Sequence, residues 1–204
     1  MNHRPFDNRR SLGLGKLHLA LPIGDKLIRY AYIRKNGCSA FKTAIGYSHA
    51  FKISEIKSSF RCKMFDRYDA TIFVWRDPED RAVSLFKNKI LDKNDNEVFE
   101  KFTRFCNHDD MSFERFVEFC GKNPDPHCWP QSKHLKPIRY THAIPLSRLH
   151  ETMEELVGKE AAQPFTTPVN PSNRKPVHVT DRARLLIRKY YDEDFKLIEK
   201  LENR

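Results

Sequence analysis

Alternating and clustered hydrophobic residues predict three strands along this chain. In residues 27–33 the side chains divide between two alternating faces, with Ile28, Tyr30 and Tyr32 on one of them, which is the pattern of a strand. Residues 70–75 are apolar nearly throughout, as expected of a strand that is covered on both faces. Residues 138–144 alternate again. The sequence therefore predicts strands in these three segments.

Hydrophobic residues three or four positions apart predict helices in the intervening segments. Three helices begin at polar caps: Asp77 (followed by Pro78), Ser112 and Thr180. A short helix over residues 39–45 ends at Gly46, and Gly121 closes the helix that follows the second cap. Residues 149–157 form another helix, whereas residues 94–107 are ambiguous.

Strands that alternate with helices predict an α/β fold: a single domain with a mainly parallel central sheet flanked by helices. The chain has 204 residues, of which 39% are hydrophobic and 12% aromatic, enough for a substantial core. We place the domain at residues 25–204, behind a basic lead-in segment at residues 1–24.

The charge and the cysteines limit the partners and the compartment. A formal net charge of +10 predicts an anionic partner, which nucleic acid, acidic glycan, phospholipid and nucleotide all satisfy. Five cysteines, odd in number and without a CxxC pair, favour a reducing compartment. The sequence has neither a long apolar stretch nor the apolar core of a signal peptide. We therefore expect a cytoplasmic protein without stable membrane insertion, the alternative being a Golgi luminal domain cut from its anchor.

Residues 33–42 have the pattern of an anion-binding turn between a strand and a helix. Gly37 allows the backbone to approach a ligand, and the helix that begins at once presents unpaired N–H groups. Lys35 and Lys42 add positive charge, and Ser39 adds a hydroxyl donor. The alternative is an ordinary strand–helix turn with solvated lysines.

A second candidate anion site lies where the strand at residues 70–75 ends. Arg76 stands at that end, the ligand edge of an open α/β sheet, and Ser84 follows about two helical turns later. An arginine in this position can hold a phosphate through two hydrogen bonds, although pairing with Asp77 or Asp80 is the alternative. The strand–helix–strand–helix order would bring both candidates to one sheet edge, where one ligand with two anionic groups would explain them.

These two segments, in this order, resemble the PAPS-dependent sulfotransferases, and most of all the carbohydrate sulfotransferases of the chondroitin and HNK-1 type (sulfotransferase family 2). PAPS is 3′-phosphoadenosine 5′-phosphosulfate. Residues 34–42 resemble the family pattern P-K-x-(G/A)-C-(S/T)-N-W-K-R, with Arg34 in place of the proline. Residues 74–84 resemble V-R-(D/H)-P-x-x-R-(L/A)-V-S, with Trp75 inserted.

Four further segments are similar to family motifs. Residues 112–117 resemble S-F-x-x-F-(V/L). Residues 127–131 resemble H-W-x-P-Q, with Cys128 in the place of the tryptophan and Trp129 one place later. Residues 169–172 and 190–195 resemble H-x-N-x-S and Y-x-x-D-F. The resemblance thus covers about residues 30–198 in order.

The resemblance implies a P-loop-like sulfotransferase fold and an enzyme that moves a sulfuryl group from PAPS to a hydroxyl of a carbohydrate or glycolipid. It implies that four side chains or N–H groups hold the 5′-phosphosulfate: Lys35, Gly37, Ser39 and Lys42. Asn36 and Cys38 belong to the same donor-binding turn. Arg76 and Ser84 would hold the 3′-phosphate, and Arg174 or Lys175 would close over the nucleotide.

An in-line displacement of this kind depends on positioning, on charge stabilisation and on removal of a proton from the acceptor hydroxyl. Lys35 is the expected catalytic cation at the bridging oxygen. His127 is the leading general base because it falls in a family-like segment, with His49 and His142 as rivals.

Other classes of site and function are less consistent with the sequence. The candidate zinc ligands are Cys120, His127, Cys128 and His134, but their spacing matches no standard ligand pattern. A P-loop-like phosphoryl-transfer enzyme would contain G-x-x-x-x-G-K-(S/T), which is absent from the sequence. A non-enzymatic binder of polyanions or nucleic acid would interleave aromatics with basic residues, whereas these aromatics fall at core positions. We therefore expect no metal and no nucleic-acid partner.

Overall fold

The computed structural model describes residues 5–48, 51–63, 66–92, 96–123, 125–166 and 176–203. The chain divides into two compact units. The first, which we call the sheet unit, comprises Met1–Trp75, Lys133–Asn170 and Leu201–Arg204. The second, the helical unit, comprises Arg76–Ser132 and Pro171–Lys200.

The strands among the described residues lie in the sheet unit: β1 (Phe6–Asp7), β2 (His18–Ile23), β3 (Lys26–Ala31), β4 (Ala70–Trp75), β5 (Arg139–Tyr140) and β6 (His142–Pro145). Four of them form one sheet in the order β2-β3-β4-β6. β2 is antiparallel to β3, whereas β3 with β4 and β4 with β6 are parallel. The sheet is therefore mixed, with two of its three pairings parallel, which confirms the predicted α/β class.

The helices are α1 (Cys38–Ala44), α2 (Ile53–Ile56), α3 (Pro78–Phe86), α4 (Glu97–Phe105), α5 (Phe113–Lys122), α6 (Leu149–Val157), α7 (Asp181–Tyr190) and α8 (Asp192–Glu202). A π-helical turn at Lys87–Leu91 follows α3, and short 3-10 helices lie at Ser132–His134, Leu146–Arg148 and Gln163–Phe165. Among the helices of the described residues, none combines the length and apolar composition that a membrane span requires.

The apolar run of β4 makes it a central strand of the sheet. It has a parallel neighbour on each side and is buried along almost its whole length, as its sequence predicts. The predicted strand at residues 138–144 is instead two short strands. Tyr140 pairs with Phe6 of β1, but from His142 onward the chain pairs with β4, so Thr141 is the point at which the chain changes partners.

Strand β2 lies within residues 1–24, the segment that the sequence predicts as a lead-in. It pairs with β3 from His18 opposite Ala31 to Ile23 opposite Lys26. Gly24 and Asp25 form the two-residue connection, where the φ of 60° at Gly24 suits a tight hairpin turn. Pro22 is tolerated because β2 is an edge strand.

The core of the sheet unit lies between its sheet and helices α1 and α6. Tyr30 of β3 and Phe41 of α1 stack with ring centroids 3.8 Å apart, and both are essentially inaccessible to solvent. Met153 of α6 belongs to the same apolar cluster. This packing fixes α1 against β3 and so defines the turn that joins them.

The three predicted helix caps of the helical unit are confirmed. Asp77 Oδ1 accepts from the N–H groups of Glu79 (2.8 Å) and Asp80 (3.0 Å). The hydroxyls of Ser112 and Thr180 likewise accept from N–H groups in the first turns of α5 and α7.

Two predicted helix boundaries in the helical unit are wrong. The segment predicted as one final helix is two helices, α7 and α8, separated at Tyr191. The pattern of hydrophobic residues does not reveal this break, because it continues with the same period on both sides. Gly121 lies inside α5 and does not end it. A Cβ atom at this position would lie 2.4 Å from the Tyr190 ring, so the glycine permits a close approach between helices.

Candidate functional site

The turn after β3 has two residues in the left-handed backbone region. Lys35 has a φ of 69°, which is uncommon for a residue with a side chain, and Gly37 has a φ of 75°. A Cβ atom at Gly37 would lie 2.8 Å from Leu149 Cδ2 and 3.1 Å from Leu146 Cδ1. Glycine is therefore favoured here by the backbone conformation, and an added Cβ would displace the ends of two leucine side chains.

Asn36 ties this turn to the central strand. Its side chain is fully buried, and Nδ2 donates a hydrogen bond to the Val74 carbonyl oxygen over 2.8 Å. Asn36 therefore ties the turn to β4. The sequence predicts that Asn36 lies in the donor-binding turn, but it does not predict this structural role.

The basic residues of the turn differ in their surroundings. Arg34 and Lys35 are half-buried, whereas Lys42 of α1 is buried. Lys42 Nζ donates to the Phe51 carbonyl oxygen over 2.5 Å, and burial lowers the pKa of this ammonium group. The charge of Lys42 is thus held inside the sheet unit by a backbone acceptor.

Cys38 and Ser39 begin α1 and are both half-buried. The Cys38 thiol lies against the Tyr32 hydroxyl; burial, and secondarily this thiol, raise the pKa of Tyr32. The guanidinium of Arg34 lies 5.8 Å from the centroid of the Tyr32 ring. The turn therefore carries a cation, a thiol and a neutral phenol close together.

Arg76 and Ser84 are both half-buried in the helical unit, Arg76 directly before the α3 cap and Ser84 on α3. Burial lowers the pKa of Arg76, while the charges of Asp80 and Asp77 act in the opposite direction. Since Asp77 Oδ1 also accepts two N–H groups of α3, Asp77 contributes to this site mainly as a helix cap.

Two residues without a predicted role surround the backbone of Arg76. The Gln131 side-chain amide exchanges two hydrogen bonds with the Arg76 N–H (2.9 Å) and carbonyl oxygen (2.8 Å). The buried carboxylate of Asp194 in turn accepts from the Gln131 N–H over 2.8 Å. Both residues lie in family-like segments, which was the available signal, but their pairing spans 63 residues and no local pattern reveals it.

His127 forms a pair with Asp125. His127 Nδ1 lies 2.6 Å from Asp125 Oδ1, and the His127 backbone N–H donates to the same oxygen over 2.8 Å. The two side chains are only 23% and 9% exposed, respectively, so the carboxylate holds the ring orientation. The sequence signal for this pair would have been an aspartate two residues before the histidine.

The remaining predicted site residues are placed as follows. His142 lies on β6 in the sheet unit, with Nδ1 2.8 Å from Thr141 Oγ1. His49, Arg174, Lys175 and the motif at residues 169–172 lie outside the described residues. Within the part of the chain that the structure describes, no group of three or more His, Cys, Asp or Glu side chains could hold a metal ion.

A comparison with known proteins assigns this fold and these motifs to a class. The model of the sulfotransferase family matches residues 23–199, which is most of the chain. With its α/β fold and mixed sheet, the protein is therefore a sulfuryl-group transferase. The chain belongs to sulfotransferase family 2, as the motif resemblance predicts. No curated protein and no solved structure matches it.

Proposed function

We propose that this sulfotransferase uses PAPS as its donor and a hydroxyl of a carbohydrate or glycolipid as its acceptor. The observation that carries the proposal is the turn of residues 34–39. It combines the residues of the family's donor pattern with a backbone shape that favours Gly37 and is fixed by Asn36. Such a turn can present N–H groups and positive charge to a tetrahedral anion.

The 5′-phosphosulfate of the donor would be held by this turn. Lys35 supplies the charge, Ser39 a hydroxyl, and Gly37 a backbone surface without a side chain. Cys38 lies in the same turn as a half-buried thiol. Lys42 would serve either by exchanging its Phe51 carbonyl partner or by stabilising the turn from within.

The 3′-phosphate would be held by Arg76 and Ser84. Arg76 is suited to this because its guanidinium is half-buried and its backbone is held by a buried amide, so little freedom is lost on binding. Arg174 or Lys175 would close over the nucleotide.

Each catalytic role falls to one residue. The Lys35 ammonium group would stabilise the negative charge that develops on the leaving oxygen. His127 would take the acceptor proton at Nε2, because Nδ1 faces Asp125. Asp125 would hold the ring and stabilise its protonated form, as a buried carboxylate does beside a catalytic imidazole.

The acceptor and the compartment follow from sequence-wide properties. A net charge of +10 suits an acidic glycan. An odd number of cysteines without a CxxC pair supports a cytoplasmic location, with a Golgi luminal domain as the competing assignment.

A sulfate-35 transfer screen tests the acceptor. Labelled PAPS is incubated with the protein and a panel of glycans, glycolipids, lipids and phenols, and the label in each product is counted. We expect label on a sugar hydroxyl, lost in Lys35→Ala and retained in Lys26→Ala, a lysine at the opposite end of β3. Label on a phenol alone would overturn the carbohydrate acceptor, and label on no acceptor would overturn the proposed activity.

Thermal unfolding separates this function from its rivals. PAP, the desulfated product, should raise the melting temperature, because a ligand that binds only the native state stabilises it. An equal rise with ATP or with an oligonucleotide would favour a phosphoryl-transfer enzyme or a nucleic-acid binder instead.

A further inference from the structure

The side chain of Gln131 forms two hydrogen bonds with the backbone of Arg76, as a neighbouring strand would. Its Oε1 accepts from the Arg76 N–H and its Nε2 donates to the Arg76 carbonyl oxygen, so both backbone groups of one residue are satisfied by one amide. Arg76 follows directly after Trp75, the last residue of β4 to pair with β6. Gln131 is only 1% exposed, so these bonds are shielded from water.

Asp194 at the start of α8 holds Gln131 in place. Its Oδ2 accepts from the Gln131 backbone N–H (2.8 Å) and, more distantly, from Gln131 Nε2 (3.4 Å). Its Oδ1 accepts from the Ser132 N–H over 2.9 Å. Asp194 is 0% exposed. This one buried carboxylate therefore fixes both the backbone of Gln131 and the Gln131 side chain, which in turn bonds to Arg76.

The charge of this carboxylate is compensated inside the helical unit. Burial raises the pKa of Asp194, and the positive charge of Arg81 opposes the increase most, followed by the Ser132 and Gln131 N–H groups. Arg81 is itself buried on α3 and donates through Nη2 to the His127 carbonyl oxygen over 3.3 Å. A buried carboxylate is stabilised only by partners of this kind, and one of them, Gln131, holds the backbone of Arg76.

We propose that Gln131 and Asp194 are positioning residues for the donor: they fix the backbone of Arg76 so that its guanidinium is set to bind the 3′-phosphate. The inference rests on the proposed function, since it assumes that Arg76 binds the donor. The fixed backbone explains how Arg76 can bind the 3′-phosphate. The family-like segments around Gln131 and Asp194 thereby have a role in substrate binding.

The test compares two nucleotides that differ only in the 3′-phosphate. PAP and 5′-AMP are titrated into wild type, Gln131→Met, Arg76→Ala and the double variant of both. Gln131→Met keeps the length of the side chain but removes both bonds to Arg76. Tyr191→Phe is the matched control, because it removes a buried hydrogen bond of the same unit, from the Tyr191 hydroxyl to the Cys128 carbonyl (2.9 Å), without contacting Arg76.

We expect Gln131→Met to weaken PAP binding about tenfold, which corresponds to about 1.4 kcal/mol, while the affinity for 5′-AMP changes less than about twofold. In the Arg76→Ala background Gln131→Met should have no further effect. Tyr191→Phe should lower the melting temperature but leave both affinities unchanged. Asp194→Asn retains the acceptor for Ser132, and it should weaken the binding of PAP but not of 5′-AMP, to a smaller degree than Gln131→Met does. It serves as the second variant if Gln131→Met does not fold.

Two results would overturn the inference alone: PAP binding in Gln131→Met and Asp194→Asn equal to wild type, or an equal loss for PAP and 5′-AMP. In both cases Arg76→Ala would still weaken PAP, and the proposed function would stand. A wild-type protein that does not bind PAP, or an Arg76→Ala variant that binds it normally, would instead refute the proposed donor site and the inference with it.

Discussion

Asn36 Nδ2 donates to the carbonyl oxygen of Val74 over 2.8 Å, which joins the donor turn to the central strand of the sheet unit. The side chain of Asn36 is fully buried, so this bond is shielded from water. It keeps the backbone of the turn at a fixed position relative to β4, and one side chain therefore sets the geometry of the proposed 5′-phosphosulfate site.

Replacing Asn36 with Ala should destabilise the protein by about 2 kcal/mol, because a buried carbonyl loses its partner. It should also weaken PAP binding. Asn8→Ala is the control: Asn8 is half-buried and donates to the Lys136 carbonyl over 2.9 Å, away from the turn. Asn8→Ala should cost about 1 kcal/mol or less and spare PAP binding. Urea unfolding and PAP titration measure both, and equal PAP affinity in the two variants would contradict the role assigned to Asn36.

A pair of glycine variants separates backbone strain from lost space. Gly46 has a φ of 81° but nothing within 4 Å of an added Cβ, whereas Gly37 has a φ of 75° and two leucine side chains in the way. Gly46→Ala should therefore lower the free energy of unfolding by about 1 kcal/mol. Gly37→Ala should lower it by the same amount and by ~2 kcal/mol more from overpacking. Only Gly37→Ala should reduce donor binding. Equal losses of stability in both variants would show that Leu146 and Leu149 do not constrain the turn.

The stability of the protein should depend on pH through His18. Nδ1–H donates to the Lys16 carbonyl, and Nε2 accepts from the Tyr140 hydroxyl, so the buried ring is neutral. Burial lowers the pKa of His18 to about 4. Between about pH 6.5 and that value the unfolded chain binds a proton that the native chain does not, so stability falls as the pH falls.

Between about pH 6.5 and pH 4, the His18 site should lower the free energy of unfolding by about 3 kcal/mol. Urea unfolding at pH 7, 5.5 and 4 measures it. His18→Gln should flatten the profile in this range, while the exposed control His178→Gln should keep the wild-type slope. A His18→Gln variant with the wild-type slope would place the acid sensitivity elsewhere.

His127→Ala should abolish turnover and leave PAP affinity unchanged, because a general base acts on the acceptor. The expected loss in kcat is about 10²- to 10⁴-fold. Asp125→Asn should lower kcat less and shift its pH profile, since the carboxylate orients the ring. His150→Ala, which breaks an exposed histidine–glutamate pair on α6, is the control. Full activity in His127→Ala would move the base to His142 or His49.

Elements with a local signal could be predicted from the sequence. The sequence predicts the caps Asp77, Ser112 and Thr180 because a single polar side chain determines where each helix begins. It predicts β4 because of the continuous apolar run. It does not predict β2, although Leu19, Leu21 and Ile23 alternate along the strand, because Pro22 argues against a strand and only the pairing with β3 offsets it.

The candidate site was predictable only in part, for a related reason. The turn at Gly37 and the arginine at the end of β4 are local features of the chain. The contacts that hold them are distant in sequence: Asn36 with Val74, and Gln131 with Asp194. Residue patterns identify the groups that could bind an anion, whereas the buried side chains that fix them depend on the folded chain.

Equilibrium titration with PAP tests the proposed roles of Lys35 and Arg76 in binding the donor. We predict one PAP per chain in wild type, with ATP at least about tenfold weaker, and a loss of about tenfold or more in Lys35→Ala and in Arg76→Ala. Lys26→Ala should bind like wild type. A wild-type chain that does not bind PAP, or binds it no better than ATP, would refute PAPS as the donor.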